Sequence, residues 1–187
     1  MKLVEKYDLD HVRVDRNGHV EIIYLKDKGL NSIPEELKEL THFKELYLSE
    51  NPIEKIEGLD ELTHLTDLKF YSAKFTKIEG LDNLTNLTYL GIGMTNISKI
   101  EGLENLVNLN ELDLTNNKIK KIEGLNTLEN LKYLFLGENE IEKIEGLEKV
   151  IRLETLDLCD NKIRKKEGLE NLICLKDLSL QGNPGWS

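Results

Sequence analysis

Residues 100–125 read IEGLENLVNLNELDLTNNKIKKIEGL, and the fold follows from the return of the first four letters at the end. IEGL stands at 56–59, 78–81, 100–103, 122–125 and 144–147, each 22 residues after the last, and KEGL at 166–169 continues the series. Internal similarity at such a period marks a solenoid or another repeat array. Working outward gives eight units of the form LxxLxLxxNxI, beginning at Val20, Phe43, Leu65, Leu87, Leu109, Leu131, Leu153 and Leu175. The first step alone is 23 residues long.

Numbered from its first apolar residue, each unit is apolar at its fourth position (Leu46, Leu90, Leu112, Leu134) and its sixth (Leu48, Ile92, Leu114, Leu136), with polar neighbours between. Alternation with period two is the pattern of a half-buried strand, so positions four and six point inward and three, five and seven outward. Beyond the strand the apolar spacing changes to steps of three, as in Ile119, Ile122, Leu125 and Leu128, which suits 3₁₀ or helical turns that bring the chain back. A unit of 22 residues cannot bury its own apolar face, so stacked neighbours must supply the core and the strands must form one parallel sheet. The ninth position is Asn51, Asn117, Asn139, Asn161 or Asn183 in five units, and a buried amide there needs the backbone of the adjacent turn as partner. Lys28, Ala73 and Thr95 replace it in the others, and a weak point is expected at Ala73.

These motifs resemble those of the leucine-rich-repeat family over about residues 20 to 183. Within that family the 22-residue length and the return stretch IEGLENL look like the regulatory leucine-rich-repeat subunit of protein phosphatase 1. Bacterial internalins use a similar length, but they are exported, and residues 1–10 (MKLVEKYDLD) hold no apolar signal sequence. The resemblance implies a right-handed, curved α/β solenoid with its sheet on the concave face, short 3₁₀ or helical turns on the convex side, and a protein-binding role without catalysis.

Residues 1–19 are expected to cap the repeats as a short helix around Leu3, Val4 and Tyr7 and an edge strand, and 20–187 to be the repeats themselves. Asn17-Gly18 between two β-prone runs is a hairpin signal. An irregular N-terminal tail is the plainer alternative. Pro34, with Glu35 and Glu36 behind it, starts a helical turn in the first return stretch. At the other end the chain passes into QGNPGWS soon after the eighth strand. Trp186 folding back over the coil, a homodimer through that coil, and a cut from a longer chain all fit this ending.

The protein has 187 residues, with Lys+Arg 25 against Asp+Glu 35 and a formal charge of -10, a balance that argues against a nucleic-acid binder. Cys159 and Cys174 are the only cysteines, too few for a disulfide scaffold, and a cytoplasmic setting is expected. No apolar run approaches a membrane span. Outward columns three, five, seven and eight carry ten carboxylates, including Glu111, Asp113 and Asp157, against Lys26 and Lys69. They also hold Tyr24, Tyr47, Tyr71, Tyr89 and Tyr133, five of the six tyrosines, with Ile22, Phe135 and Met94. Aromatics amid one sign of charge are the composition of an interface, which makes Tyr24, Tyr47, Tyr71, Tyr89, Glu111, Asp113, Tyr133, Phe135 and Asp157 the candidate binding residues for a protein partner with basic residues. Asp113, Phe135 and Asp157 also look like the acid-aromatic alternation of the phosphatase regulator, although Gly91 and Ser179 break the match on either side. Gly91 and Gly93 leave a dent, walled by Lys69, Tyr71, Tyr89, Asp113 and Thr115, that a partner side chain could enter.

Other patterns read as structural. Lysines at 55, 77, 99, 121, 143 and 165 each stand two residues before a glutamate, an alternating-charge ridge and not an anion-binding stripe. His42 and His64 share a repeat position and should stack, but with no third histidine or cysteine beside them they make no metal site. Neither cysteine has the setting of a nucleophile, and the recurrent Gly58-to-Gly168 series marks one backbone turn. No cofactor, metal or catalytic residue is expected.

Overall fold

The structure is a computed structural model and describes residues 12–16, 19–40 and 42–186. The expected N-terminal helix and the turn at Asn17-Gly18 lie outside the described residues. Strand β1 (Val12–Val14) pairs antiparallel with β2 (Val20–Tyr24) through Val12↔Ile23 and Arg13↔Ile22. Strands β3 (Glu45–Tyr47), β4 (Asp67–Lys69), β5 (Tyr89–Gly91), β6 (Glu111–Asp113), β7 (Tyr133–Phe135), β8 (Thr155–Asp157) and β9 (Asp177–Ser179) follow in chain order to complete one nine-stranded sheet. From β2 to β9 every pairing is parallel, and equal repeat positions face one another: Leu90↔Leu112, Leu112↔Leu134, Leu134↔Leu156. A period without slips therefore becomes a sheet without slips.

The fourth and sixth positions build the core. Leu112, Leu114, Leu134, Leu136, Leu156 and Leu158 are fully buried. Each inward leucine is stacked between its counterparts in neighbouring coils, so truncating one to alanine costs about 2–5 kcal/mol. On the return side the steps of three become single turns: Leu106 N–H donates to the Leu103 carbonyl at 3.0 Å, and Leu109 N–H to Leu106 at 2.9 Å. Only the stretch behind Pro34 extends into a 3₁₀ helix among the described residues, Glu35–Glu39, with Leu37 buried. The glycine of IEGL takes a left-handed turn, φ 68° at Gly80, and a Cβ there would stand 2.5 Å from the Ile56 carbonyl oxygen of the preceding coil. That contact requires glycine.

The ninth-position amides stitch each coil to the one before it. Asn139 Nδ2 donates to the carbonyls of Leu114, Leu136 and Gly137 at 3.0, 3.1 and 3.1 Å, and its Oδ1 accepts from Ile119 N–H at 3.0 Å. Asn117 does the same toward Ile92 and Ile97, and the Thr95 hydroxyl also donates to its Oδ1. In the coil where Ala73 interrupts the ladder, Phe75 stands edge-on to Phe70 with ring centroids 5.3 Å apart, and both are buried. The Phe75 N–H, whose counterpart Ile97 bonds to an asparagine oxygen, donates to the Ile53 carbonyl at 3.1 Å. Aromatic volume thus stands beside Ala73, while the rerouted Phe75 bond lies opposite Thr95, the next position where the ladder lacks an asparagine.

The chain leaves each strand through a left-handed residue at the eighth position: Asp27, Glu50, Ser72, Met94, Asn116, Glu138 and Asp160 have φ between 50° and 58°. At the C-terminal end Leu169, Leu175, Leu178 and Trp186 are partly buried against the core. No helix among the described residues is long and apolar enough to cross a membrane.

Candidate functional site

Period-two alternation aims positions three and five away from the core, so β2 to β9 carry the candidate residues side by side on one face. The register sets two rows there. Asp67, Tyr89, Glu111, Tyr133 and Thr155 form one, and Tyr24, Tyr47, Lys69, Gly91, Asp113, Phe135 and Asp157 form the other. Neighbours in a row are one strand spacing apart, about 4.8 Å, so long side chains must touch.

They touch in three groups. Tyr24 and Tyr47 stack with centroids 4.8 Å apart and planes 13° from parallel, and Tyr47 Oη donates to Glu45 Oε2 at 2.7 Å. Lys69 extends its ammonium between two rings, 5.0 Å from the Tyr47 centroid and 4.6 Å from that of Tyr89, a cation–π arrangement on both faces. Tyr71 Oη donates to Asp113 Oδ2 at 2.5 Å and lies 3.1 Å from Tyr89 Oη, while Asp113 Oδ1 accepts from Thr115 N–H at 2.9 Å. Tyr133, Phe135 and Asp157 follow on β7 and β8, half-buried, and Asp157 Oδ1 accepts from Cys159 N–H at 3.0 Å. The aromatic-acidic set is thus contiguous on one face. Ile22 shares that face by position but is buried, 3 % exposed, beside β1.

The dent expected at Gly91 and Gly93 is occupied by the chain's own tyrosines. A Cβ at Gly93 would fall 2.5 Å from Tyr71 Cε1, and one at Gly91 would fall 2.7 Å from Tyr89 Oη. A tyrosine is longer than the spacing between strands, so with no side chain at Gly91 or Gly93 the Tyr71 ring leans sideways across the gap. The glycines seat a cluster in which the Tyr71 hydroxyl joins Asp113 and Tyr89, and the tyrosine rings fill the dent.

Burial sets the electrostatics. It is the largest cause that raises the Tyr71 and Tyr89 phenols above their ordinary range; the Asp113 bond adds to it for Tyr71, while for Tyr89 the Tyr71 bond works against it and the Asp113 charge adds to it. Tyr47 is raised by burial and by Glu45. Burial, then the neighbouring Asp113 charge, raises the Glu111 carboxyl, with Lys69 pulling against them. Burial and the Asp157 carboxylate push the Cys159 thiol up to about 11, so it is a poor nucleophile at neutral pH. Cys159 and Cys174 are both unpaired in a disulfide sense, and the described residues hold no cluster of three or more metal-ligating side chains.

Two features escaped the sequence reading. Lys69 registers there only as a minority charge, although it is the cation of the aromatic sandwich. The histidine pair is a stack of three: His19 lies 6.3 Å from His42 at 24°, and His42 lies 6.2 Å from His64 at 19°. The expectation that no third histidine joins the pair is corrected accordingly. On the convex ridge Lys77 and Glu79 pair at 3.5 Å and Lys99 and Glu101 at 3.4 Å, while Lys121 reaches Glu145 of the next coil at 3.7 Å. Such exposed pairs contribute little.

Comparison with known proteins agrees with this architecture. Residues 107–149 match the family model described as leucine-rich repeats in two copies. The fold is similar to that of internalin C2 from Listeria monocytogenes, with TM-score 0.80 and 28 % identity over 88 % of this chain and 72 % of that one. It is also similar to the functional domain of InlJ from the same organism, with TM-score 0.74 and 20 % identity over 94 % of this chain and 38 % of that one. A third likeness is to TLR13 in its complex with a single-stranded RNA, with TM-score 0.78 and 22 % identity over 87 % of this chain and 24 % of that one. No curated protein matches the sequence significantly. The fold is that of a right-handed leucine-rich-repeat solenoid with its parallel sheet on the concave side. That fold is typical of protein–protein interaction modules.

Proposed function

We propose that the protein is a non-catalytic binding module that takes a protein partner with basic residues on its open sheet face. The observation that carries this reading is the composition of that face: half-buried Tyr47, Tyr71, Tyr89, Tyr133 and Phe135 set in register among Glu111, Asp113 and Asp157, with Lys69 held between rings. Half-buried aromatics give affinity at low entropic cost, and one sign of charge steers a complementary partner. Tyr71 and Asp113 are bound to one another and so shape the surface, leaving Tyr133, Phe135 and Glu111 as the main contacts. Phosphate backbones are repelled by this face, so the RNA of the TLR13 complex stays with that protein.

The likeness to the phosphatase regulator rests on Asp113, Phe135 and Asp157 and singles out no phosphatase, since Gly91 and Ser179 interrupt the row. Packing of Trp186 against the core gives no support to a homodimer through the C-terminal coil. The unpaired thiols favour a cytoplasmic setting. The test is affinity capture on the immobilised protein beside its Tyr133→Ala/Phe135→Ala variant. The double variant should lose the captured partner while its thermal midpoint stays within a few degrees of the parent; equal capture by both would refute the assignment of the face.

A further inference from the structure

The face already binds one cation, and it is the chain's own. Lys69 projects from β4 into the space between Tyr47 and Tyr89, its ammonium 5.0 and 4.6 Å from the two ring centroids. Its charge also reaches Glu111 two strands away, where it partly offsets the effects of burial and of Asp113. An ammonium placed between tyrosine rings with a carboxylate nearby shows, within the molecule, which chemistry this surface accommodates.

From β6 to β8 the same ingredients recur without the cation. Glu111 stands in register with Tyr89 on one side and Tyr133 on the other, and Phe135 stands in register between Asp113 and Asp157. No lysine or arginine occupies the third or fifth position of β6, β7, β8 or β9. The cations at the nearby edge are engaged elsewhere: Lys132 Nζ lies 3.9 Å from Glu154 Oε1, and Arg152 Nη1 donates to Asn130 Oδ1 at 2.8 Å. Asp113 is committed as well, since Tyr71 and the Thr115 N–H take one oxygen each. Glu111 is left as the half-buried carboxylate flanked by two aromatic residues.

Resting on the reading of this face as the interface, we propose that Glu111, between Tyr89 and Tyr133, is the subsite for the guanidinium of an arginine carried by the protein partner. A guanidinium suits this place better than an ammonium. It is planar and weakly hydrated, it stacks on aromatic faces, and it offers paired N–H donors to one carboxylate. Tyr133 and Phe135 then cover the aliphatic stem of the arginine, while Asp157 supplies longer-range attraction.

The test uses the full chain and two capped tripeptides, acetyl-Gly-Arg-Gly-amide and acetyl-Gly-Lys-Gly-amide, titrated against NMR signals of the protein. The arginine peptide should shift the signals of Tyr89, Glu111 and Tyr133 saturably, about tenfold tighter than the lysine peptide, the difference expected when stacking adds to charge. Glu111→Gln should weaken the arginine peptide about tenfold or more and remove the discrimination, and Glu111→Asp should restore part of both. Equal binding of the two peptides, shifts centred away from these residues, or indifference to Glu111→Gln in a variant with unchanged thermal midpoint would each overturn the subsite. Partner capture lost in Tyr133→Ala/Phe135→Ala would in that case still uphold the interface, so the two claims fail separately.

Discussion

Tyr71 donates its hydroxyl to Asp113 at 2.5 Å across an intervening strand, a bond between residues 42 apart in sequence. The two belong to coils that do not adjoin, and the coil between them offers only Gly91 and Gly93 beneath the tyrosine ring. The bond therefore depends on two hydrogen atoms where every other coil has at least one side chain in those two columns to obstruct it. It also fixes one carboxylate of the proposed binding face before any partner arrives, a form of preorganisation.

Gly93→Ala tests that dependence. A Cβ there must displace the Tyr71 ring, and the neighbouring strand backbone at the Thr115 carbonyl, 3.1 Å away, limits the room to move. The substitution should cost about 1–2 kcal/mol, the scale of a modest overpacking. It should also return the Tyr71 phenol toward its ordinary titration range by breaking its bond to Asp113. Chemical denaturation reads the first effect and tyrosinate absorbance the second; an unchanged titration would mean that Tyr71 keeps its bond without the glycine.

A second prediction concerns the amide ladder. Asn139→Ala removes the two Nδ2 hydrogens shared among the Leu114, Leu136 and Gly137 carbonyls and leaves the buried Ile119 N–H without its acceptor. Leaving such groups unpaired costs about 2–4 kcal/mol in total. Asn130→Ala serves as the comparison, because that amide donates to the Val107 carbonyl at 2.9 Å and accepts from Arg152 at 2.8 Å where water can replace both partners, and the loss should stay under about 1 kcal/mol. Urea midpoints of the two variants should separate clearly, and similar midpoints would mean that the ladder contributes no more than a surface bond.

The period of the repeat predicts the register of β2 to β9 residue by residue, because positions 22 apart must lie side by side once the coils stack. The partners of Asn117 and Asn139 follow from the same rule. The third stacked histidine was equally legible: His19 precedes Val20 just as His42 precedes Phe43 and His64 precedes Leu65. It escapes attention because the first step of the repeat is 23 residues long. The fate of the glycine dent was not legible, since a column of outward positions treats each side chain as standing over its own strand. Tyr71 instead leans over the neighbouring coil, and Lys69 is drawn between rings on the strands either side. Lateral reach decides such contacts, and a one-dimensional pattern does not record it.

The raised phenols give a pH dependence of definite sign. Tyr47, Tyr71 and Tyr89 are held above their ordinary value in the folded chain, chiefly by burial. Once unfolded, they release their protons near pH 10. Above that pH the unfolded chain binds fewer protons than the folded one, so the stability these groups contribute is fully present below about pH 10 and lost as the pH rises further. Urea midpoints should fall steadily beyond pH 10, with tyrosinate absorbance appearing in step with unfolding. Tyr71→Phe should flatten that dependence; full ionisation of all three in a chain that remains folded would contradict the assignment.

Met94 provides the sharpest test of the left-handed column. Its φ is 54° and its side chain is 57 % exposed, so it bears the strain of that conformation with little packing in return. Asn tolerates the left-handed region better than most residues and occupies it at the equivalent position 116, whereas a β-branched residue is the least tolerated there. Met94→Asn should stabilise the protein by about 0.5–1 kcal/mol, and Met94→Ile should destabilise it by at least about as much. Thermal midpoints in the order Asn above Met above Ile would show that backbone strain governs the position. A higher midpoint for Ile than for Asn would show instead that Met94 acts through apolar contact on the rim of the sheet, and its place would then be with the binding residues.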